Sequence, residues 1–278
     1  MSDTIIAAVD PDAPRQTQDA LALATWLADA TSCALVAATV FAPRPGALSA
    51  QLERRRAEVA ALAGRPIDTV VIAGTAPARL LHELADQRRP RALVIGSSRG
   101  GADGLVSLGS VGEMLLHGGD VPIVVTPNDH RGRQAWTRRI GVADRGTPES
   151  HDAARAAADL AMRTGAQLRV LTVLEPPPHN ELAGRHPGAL IAPAVGDVPA
   201  ERIEFEGDPA AALATATRDL DLLLVGSRSY GPLGAVLLGA VTRQLIRMAS
   251  CPVMVVPRVR DAALALALVG GMEADVSA

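Results

Sequence analysis

Short apolar runs alternate with helical patterns along this chain, and the same order occurs twice. In the first half the apolar runs contain no regular polar alternation and lie at Ile5–Val9, Ala34–Val40, Thr69–Ala73, Ala92–Ile95 and Val121–Thr126. Strands that are buried on both faces have this pattern, which indicates a parallel sheet covered by helices. The stretches between them predict helices near residues 15–31, 49–63, 76–88 and 110–118.

The second half repeats this order with predicted strands near residues 138–143, 167–173, 201–205, 221–225 and 252–256. Gly96 aligns with Gly226, and residues 92–127 align with 222–257 without a gap. The sequence therefore predicts an α/β protein of two doubly wound, five-stranded parallel-sheet domains in tandem, with strand order 3-2-1-4-5 and a pseudo-twofold relation. The predicted parts are domain 1 at 1–127, a linker at 128–137, domain 2 at 138–257 and a C-terminal tail at 258–278.

One segment breaks the repeat. Residues 175–200 contain six prolines and three glycines, and prolines of this density interrupt a regular helix. We therefore expect the second copy to have a loop where the first copy has its second helix.

The amino-acid composition excludes several classes of function. All 27 basic residues are arginine, which excludes a Walker A lysine and a Schiff-base lysine. Aromatic residues make up 2% of the chain and the net charge is -3, so a nucleic-acid partner is not expected. The sequence contains neither a signal-peptide pattern at its start nor an apolar run long enough for a bilayer. We expect a cytoplasmic protein without a membrane partner.

The candidate chemistry lies where the predicted strands end. Asp10 follows the first strand, and Gly96 opens a glycine- and serine-rich loop that ends at Gly109-Ser110, at the start of a helix. Open α/β sheets bind ligands at this edge, and helix N-termini favour phosphate. The alternative interpretation is an ordinary glycine-rich loop in which Ser110 is an N-cap.

The loop resembles the signature of the universal stress protein family, G-x-x-G-x9-G-[ST], and the spacing occurs in both copies. The resemblance extends to the aspartate after the first strand, the Thr-Val pair at the end of the second strand, and the Cys-Pro-Val-Met-Val-Val-Pro segment at 251–257. It implies cytoplasmic stress-response proteins, often homodimeric, of which some bind ATP and some do not.

The same resemblance implies a set of adenine-nucleotide contacts. Asp10 would contact the ribose and the main chain of Val40 the adenine, whereas Gly96, Gly109, Ser110 and Val111 would surround the ribose and phosphates. The counterparts in the second copy are Asp144, Val173, Gly226 and Gly239. No metal site or catalytic residue is expected.

Departures from the signature distinguish the two copies. Arg99 replaces the second glycine in the first copy, where its guanidinium could pair with phosphate or fill the pocket, and the adjacent Gly100 could supply the backbone freedom. Ser229 and Ala240 replace a glycine and a hydroxyl residue in the second copy. We therefore expect the first copy to be the better nucleotide site.

Two alternatives to ATP binding stay open on the sequence. One is a degenerate universal stress protein that binds no nucleotide and acts as an interaction module. The other is a hydrolase, either a slow ATPase or a serine hydrolase, since Ser98 occupies a G-x-S-x-G pattern. A nucleophile elbow turns directly into a helix, whereas here a long loop follows Ser98, so an enzyme is the least favoured reading.

Overall fold

The computed structural model of this chain describes residues 3–130, 138–174, 195–227 and 238–257. Its first half alternates five strands with four helices. They are β1 (Thr4–Ala8), α1 (Pro14–Thr31), β2 (Ala34–Phe41), α2 (Leu48–Ala63), β3 (Asp68–Ala73), α3 (Pro77–Arg88), β4 (Ala92–Ile95), α4 (Ser110–Leu115) and β5 (Ile123–Val125).

The second half repeats the five strands. Its described elements are β6 (Arg139–Ala143), α5 (Pro148–Thr164), β7 (Gln167–Leu174), β8 (Ala200–Glu206), α6 (Pro209–Ala216), a short 3-10 turn (Thr217–Asp219), β9 (Leu222–Gly226), α7 (Ala240–Met248) and β10 (Val253–Val256). The predicted loop at 175–200 and the predicted linker lie largely outside the described residues, and the predicted tail lies wholly outside them.

All ten strands form one continuous sheet in the order β3-β2-β1-β4-β5-β10-β9-β6-β7-β8. Within each half the strands are parallel and follow the order 3-2-1-4-5, which confirms the predicted fold class. The halves meet where β5 pairs antiparallel with β10, with Val125 opposite Val253. The carboxyl ends of the strands in the two halves therefore lie at opposite edges of the sheet.

The sheet has an apolar layer on each face, because successive strand residues point to opposite sides. Ile5 and Ala7 belong to the layer beneath α1 and α5, whereas Ile6 belongs to the layer beneath α3, α4, α6 and α7. Both layers contain residues of both halves, so the core runs without interruption across the β5–β10 pair.

The edge strands depart from the predicted pattern of complete burial. β3 is partly exposed along its length, and β8 alternates between exposed charged residues and half-buried ones such as Ile203 and Phe205. An edge strand has a neighbour on one side only, and charges along it discourage pairing with another chain. The apolar run at Thr69–Ala73 was thus placed correctly as a strand but wrongly as one buried on both faces.

α4 is shorter than the predicted helix at 110–118. It ends at Leu115, and Gly118 adopts a φ of 98°, a left-handed conformation that does not continue a helix. The neighbouring half holds the surrounding segment in place: the backbone N–H of Val106 donates to the carbonyl of Ala249 at 3.0 Å, and Arg247 donates to Glu113 at 2.7 Å.

Candidate ligand-binding sites

A cavity of about 310 Å³ opens at the carboxyl edge of the first half. The ends of β1, β2 and β4 form its floor, and the N-terminal turns of α1 and α4 form its sides. Seven of the eight residues predicted for this copy line it, namely Asp10, Val40, Gly96, Arg99, Gly109, Ser110 and Val111. The fold therefore brings together residues that are up to 101 positions apart in the chain.

Gly100 is the predicted residue that does not line this cavity. Its φ of 81° lies in the left-handed region, and open space surrounds it. Gly100 therefore adopts the left-handed conformation that favours glycine and that arginine at position 99 would adopt only at a cost.

Close packing against α1 explains why residue 96 is a glycine. A Cβ atom there would lie 2.5 Å from the backbone oxygen of Gln16 on α1, and in the second copy a Cβ at Gly226 would lie 2.4 Å from the backbone oxygen of Glu149 on α5. In both halves the first helix approaches the end of the fourth strand too closely for any side chain. The repeated glycine is thus explained without a ligand.

Three serines fix the loop between β4 and α4. Ser97 Oγ donates to the carbonyl of Thr126 at 2.6 Å and accepts the backbone N–H of Ser107 at 2.8 Å. Ser98 Oγ shares a hydrogen bond of 2.7 Å with Ser107 Oγ. The loop therefore folds back on itself, and its two ends meet at the cavity.

The start of α4 differs from a serine-capped helix. Gly109 is the N-cap residue, and it makes no side-chain cap. Ser110 is the first helical residue and is exposed, so its hydroxyl is not used to cap the helix as the alternative interpretation of the sequence required. A ligand in the cavity has access to it.

Arg99 lies across the mouth of the first cavity. Its Nη2 donates to Asp10 Oδ2 at 3.2 Å, and its Nη1 donates to the backbone oxygen of Asp12 at 3.1 Å. The other carboxylate oxygen of Asp10 accepts the backbone N–H of Asp12 at 3.0 Å. Arg99 therefore engages the carboxylate predicted to contact the ribose, and not the nearby Asp103.

Further arginines stand beside this mouth. Arg55 donates to Asp12 Oδ2 at 2.6 Å, and its guanidinium lies 5.9 Å from the centre of the Phe41 ring. The hydrogen bond from Arg55 lowers the pKa of Asp12 against a smaller opposing effect of burial, and the charges of Arg55, Arg99 and Arg44 lower that pKa further. At the entrance Arg55 thus contacts the carboxylate of Asp12 and Arg99 its backbone oxygen.

Two residues of α1 that sequence reasoning missed line this cavity, and one of them, Thr17, holds Asp10. The hydroxyl of Thr17 accepts the backbone N–H of Asp10 at 2.9 Å and donates to its carbonyl at 2.7 Å. Gln16 lines the cavity beside it and donates to the side-chain oxygen of Asn128 at 3.1 Å. The signal was available, since the first turns of a helix after strand one lie at the same edge of the sheet.

A second cavity, of about 500 Å³, occupies the matching place in the second half. Four of the residues predicted for this copy line it: Asp144, Val173, Gly226 and Gly239. Ser229, the fifth, lies outside the described residues. Because the two halves run antiparallel, this cavity opens at the opposite edge of the sheet from the first.

Asp144 differs from Asp10 in burial and in partners. It is 1% exposed, and its Oδ1 accepts the hydroxyl of Ser150 at 2.6 Å and the backbone N–H of Gly146 at 2.7 Å. Its Oδ2 is buried and has no hydrogen-bond partner among the residues that the structure describes. The side chain of Asp10, by contrast, is 52% exposed.

The helix after Asp144 is capped by its own residues. The side chain of Thr147 accepts the backbone N–H of Ser150 and the side chain of Ser150 accepts that of Thr147, which forms a capping box. This box also holds the Ser150 hydroxyl against Asp144. α1 in the first half has no side-chain cap, so the first helices of the two halves begin in different ways.

The described residues give little support to a metal site or to a nucleophilic serine. The described part of the chain contains no group of three or more histidine, cysteine, aspartate or glutamate residues that could hold a metal ion, and Cys33 and Cys251 are free thiols. No histidine is among the described residues that line the first cavity with Ser98. Of the described helices, none has the length and apolar character needed to cross a membrane.

Known proteins resemble this chain over both halves. A universal stress protein of Mycobacterium bovis is 26% identical over 201 residues, which cover 64% of this chain and 68% of the relative. One from Mycolicibacterium smegmatis is 31% identical over 191 residues, covering 62% of this chain and 64% of that protein. The fold matches the crystal structure of a universal stress protein from Archaeoglobus fulgidus with a TM-score of 0.70 at 17% identity, covering 93% of this chain and 100% of that chain.

The family profile itself matches twice. Residues 1–127 and residues 137–257 each fit the universal stress protein family, in agreement with the internal repeat and with the two equivalent five-stranded halves of the sheet. The chain therefore belongs to the universal stress protein family, as a member with two family domains in tandem.

Proposed function

We propose that the first domain binds an adenine nucleotide, ATP, and that the protein acts in the stress response as a nucleotide-binding protein and not as an enzyme. The first cavity carries this proposal, because it joins an apolar floor to the hydroxyl of Ser110 and the guanidinium of Arg99. A ligand with an apolar base at one end and phosphates at the other matches that gradient.

Each part of the nucleotide has a complementary part of the cavity. Val40, Leu81 and Ile95 offer an apolar surface to the adenine. Asp10 offers carboxylate oxygens to the ribose hydroxyls. Ser110 offers its hydroxyl to the phosphates, and Arg99 lies close enough to add a guanidinium, whose fork matches phosphate oxygens.

The absence of catalysis rests on the surroundings of the candidate nucleophile. Ser98 Oγ is engaged with Ser107, and the described lining of the first cavity has no histidine to remove its proton. The two carboxylates near the mouth, Asp10 and Asp12, are paired with Arg99 and Arg55. General-base catalysis requires a free base close to the proton that it removes.

A second candidate function has one observation in its favour. Because Arg99 is hydrogen-bonded to Asp10, a nucleotide must break that contact before its ribose hydroxyls can bind the carboxylate. A protein in which Arg99 keeps the cavity closed would act as an interaction module without nucleotide.

Calorimetry with ATP on the intact protein distinguishes these functions. If Arg99 binds phosphate, the wild type binds ATP and Arg99→Gln weakens binding; if Arg99 closes the cavity, the wild type binds no ATP and Arg99→Gln gains it. Arg91→Gln is the matched control, since Arg91 also pairs with an aspartate, Asp3, but at the opposite edge of the sheet. No ATP binding by any of the three proteins would refute the nucleotide proposal.

The homodimer and the cytoplasmic location expected from the sequence stay predictions. The described structure already pairs the fifth strands of the two halves within one chain, so a second copy would have to bind elsewhere. Light scattering across a range of protein concentrations would measure its presence.

A further inference from the structure

The two edge strands of the sheet differ at equivalent positions of the repeat. β3 and β8 lie at its two ends, and the glycine that follows each strand donates its backbone N–H to the neighbouring strand: Gly74 to Phe41 at 2.8 Å and Gly207 to Leu174 at 3.2 Å. When the strands are aligned on these glycines, every second position is uncharged in β3 and charged in β8. These positions pair Thr69 with Arg202, Val71 with Glu204, and Ala73 with Glu206.

The positions between them are apolar in both strands and face the core. Val70 and Ile72 of β3, like Ile203 and Phe205 of β8, pack against the apolar layer beneath α3, α4, α6 and α7. The uncharged set of β3 therefore points to the other face of the sheet, which α2 covers with Val59. This cover accounts for small, uncharged side chains there, and it leaves the edge of the first half without a charge over five consecutive residues.

The main chain of β3 directs one row of hydrogen-bonding groups to the open edge of the sheet. Successive residues of a strand point their N–H and C=O groups to alternate sides. Because the N–H of Gly74 points to β2, the groups of Thr69, Val71 and Ala73 point away from β2. The register with β2 is regular along the whole strand, so this row is evenly spaced.

The exposure of β3 indicates the shape of partner that fits. Its five residues from Thr69 to Ala73 are all half-buried, whereas every residue of the interior strand β4 is buried. An uncovered face would expose alternate residues only, since neighbouring side chains point to opposite faces. Exposure at every position comes from the open side that both faces share. A further strand beside β3 would therefore complete its burial.

Charge and symmetry decide which strand pairs there. Three glutamates and one arginine are exposed along β8, and charges on an edge strand discourage edge-to-edge pairing. A contact between β3 of one copy and β8 of another would also be heterologous, and such contacts extend into open filaments when they do not close into a ring. A contact between two β3 strands meets neither obstacle, because both strands are uncharged there and a twofold axis closes after two copies.

We propose that β3 is the surface that binds a second copy of this chain, and that the two β3 strands pair antiparallel about a twofold axis at Val71. Val71 then lies opposite its counterpart, and Thr69 lies opposite Ala73 on either side of the axis. All three residues point their main-chain groups outward, so about six hydrogen bonds form between the copies. The two Asp68 carboxylates lie at opposite ends of the pair, about 20 Å apart.

The size of this contact sets its strength. A pair of short strands lies at the lower end of the range of interface sizes, where association is weak and reversible. We therefore expect a dimer that dissociates on dilution. β3 contributes no residue to the described lining of either cavity, so the pairing does not depend on the ligand proposed for the first domain.

The test is sedimentation velocity of the intact protein over a range of concentrations, with two double variants of equal size and number of charges. Thr69→Glu/Ala73→Glu places like charges directly opposite each other between the copies, whereas Thr69→Arg/Ala73→Glu places opposite charges there. Like pairs destabilise and opposite pairs stabilise an antiparallel ribbon, so the dissociation constant of the first variant should exceed that of the second by about 10-fold or more. Circular dichroism verifies that both variants are folded.

Hydrogen exchange measures the same contact in the wild type without any substitution. The amide of Val71 points to the open edge, so its exchange should slow by about 10-fold or more when the protein concentration is raised from monomer to dimer. The amide of Ile72 points to β2 and is the internal control, since its exchange should not depend on concentration.

Other outcomes decide against the proposal. It is overturned if the wild type stays monomeric up to about 1 mM, if it assembles beyond a dimer, if the two double variants dimerise equally, or if exchange at Val71 is independent of concentration. Calorimetry with ATP keeps this proposal apart from the proposed function, because both double variants should bind ATP as the wild type does.

Discussion

The two cavities occupy equivalent places, yet the same aspartate is used differently in each. Asp10 is half exposed and held by Arg99, whereas Asp144 is buried, fixed by Ser150 and Gly146, and left with one oxygen unpartnered. The backbone also differs: the N–H of Asp144 donates to the carbonyl of Leu171, as that of Val9 does to Ala38 in the first half, whereas the N–H of Asp10 donates to the hydroxyl of Thr17. The two halves of the repeat therefore share a fold, while the surroundings of the aspartate differ between them.

The largest expected effect is the loss of stability when the glycine at the end of the fourth strand, which both copies share, is replaced. Gly96→Ala and Gly226→Ala would each force a Cβ against backbone of the first helix in its half, and should destabilise the protein by about 2–3 kcal/mol. Urea denaturation measures the change. Gly165→Ala is the control: its Cβ would meet nothing within 4 Å, and its φ of 70° alone costs about 1 kcal/mol. Equal losses in all three would show that the close approach is unimportant.

The second prediction concerns the first residue of the helix after each loop, which is Ser110 in the first copy and Ala240 in the second. A hydrogen bond from a hydroxyl to a charged phosphate contributes about 1.5–3 kcal/mol, so Ser110→Ala should weaken ATP binding roughly 10- to 150-fold. The reciprocal Ala240→Ser adds a hydroxyl at the start of α7 and should strengthen ATP binding by the second cavity. Calorimetry of both variants gives affinity and stoichiometry. Unchanged affinity in Ser110→Ala would remove this residue from the site.

The third prediction tests the charge at the mouth of the first cavity by ionic strength. ATP binding beside Arg99 and Arg55 should weaken by about 10-fold between 0.05 M and 0.5 M salt, since screening at the mouth shortens the reach of exposed charges. Arg99→Gln should reduce this salt dependence, because it removes one of the two guanidinium groups. The same salt dependence in the wild type and in Arg99→Gln would contradict a contact between Arg99 and phosphate.

The smallest effect concerns the Asp12–Arg55 pair, which has no aspartate counterpart in the second copy. Because Arg55 lowers the pKa of Asp12 below 3.8, the pair stabilises the folded state above that value, and this stabilisation is lost as the pH falls through the lowered pKa. Asp12 is largely exposed, so the contribution is about 0.5 kcal/mol or less. NMR titration should show that Arg55→Gln raises the midpoint of Asp12; an unchanged midpoint would exclude the pair.

Sequence patterns predicted the strands well and the partners of side chains poorly. Ala92–Ile95 was bounded correctly because a strand buried on both faces is apolar throughout. The partner of Arg99 could not be predicted, since Asp10 lies 89 positions away and the contact depends on how two loops meet. The partners of Asp144 are local, since Gly146 and Ser150 follow it within six positions, but its burial and its unpartnered oxygen are products of tertiary packing.

The antiparallel joint between β5 and β10 has a consequence for how such a protein changes over time. Two identical chains that met in this way would carry every substitution twice, so a residue that harmed one site would harm both. Here the two sites are encoded separately, and serine at position 110 coexists with alanine at 240. Gene duplication followed by fusion thus allows one site to lose a function while the other keeps it, within one continuous sheet.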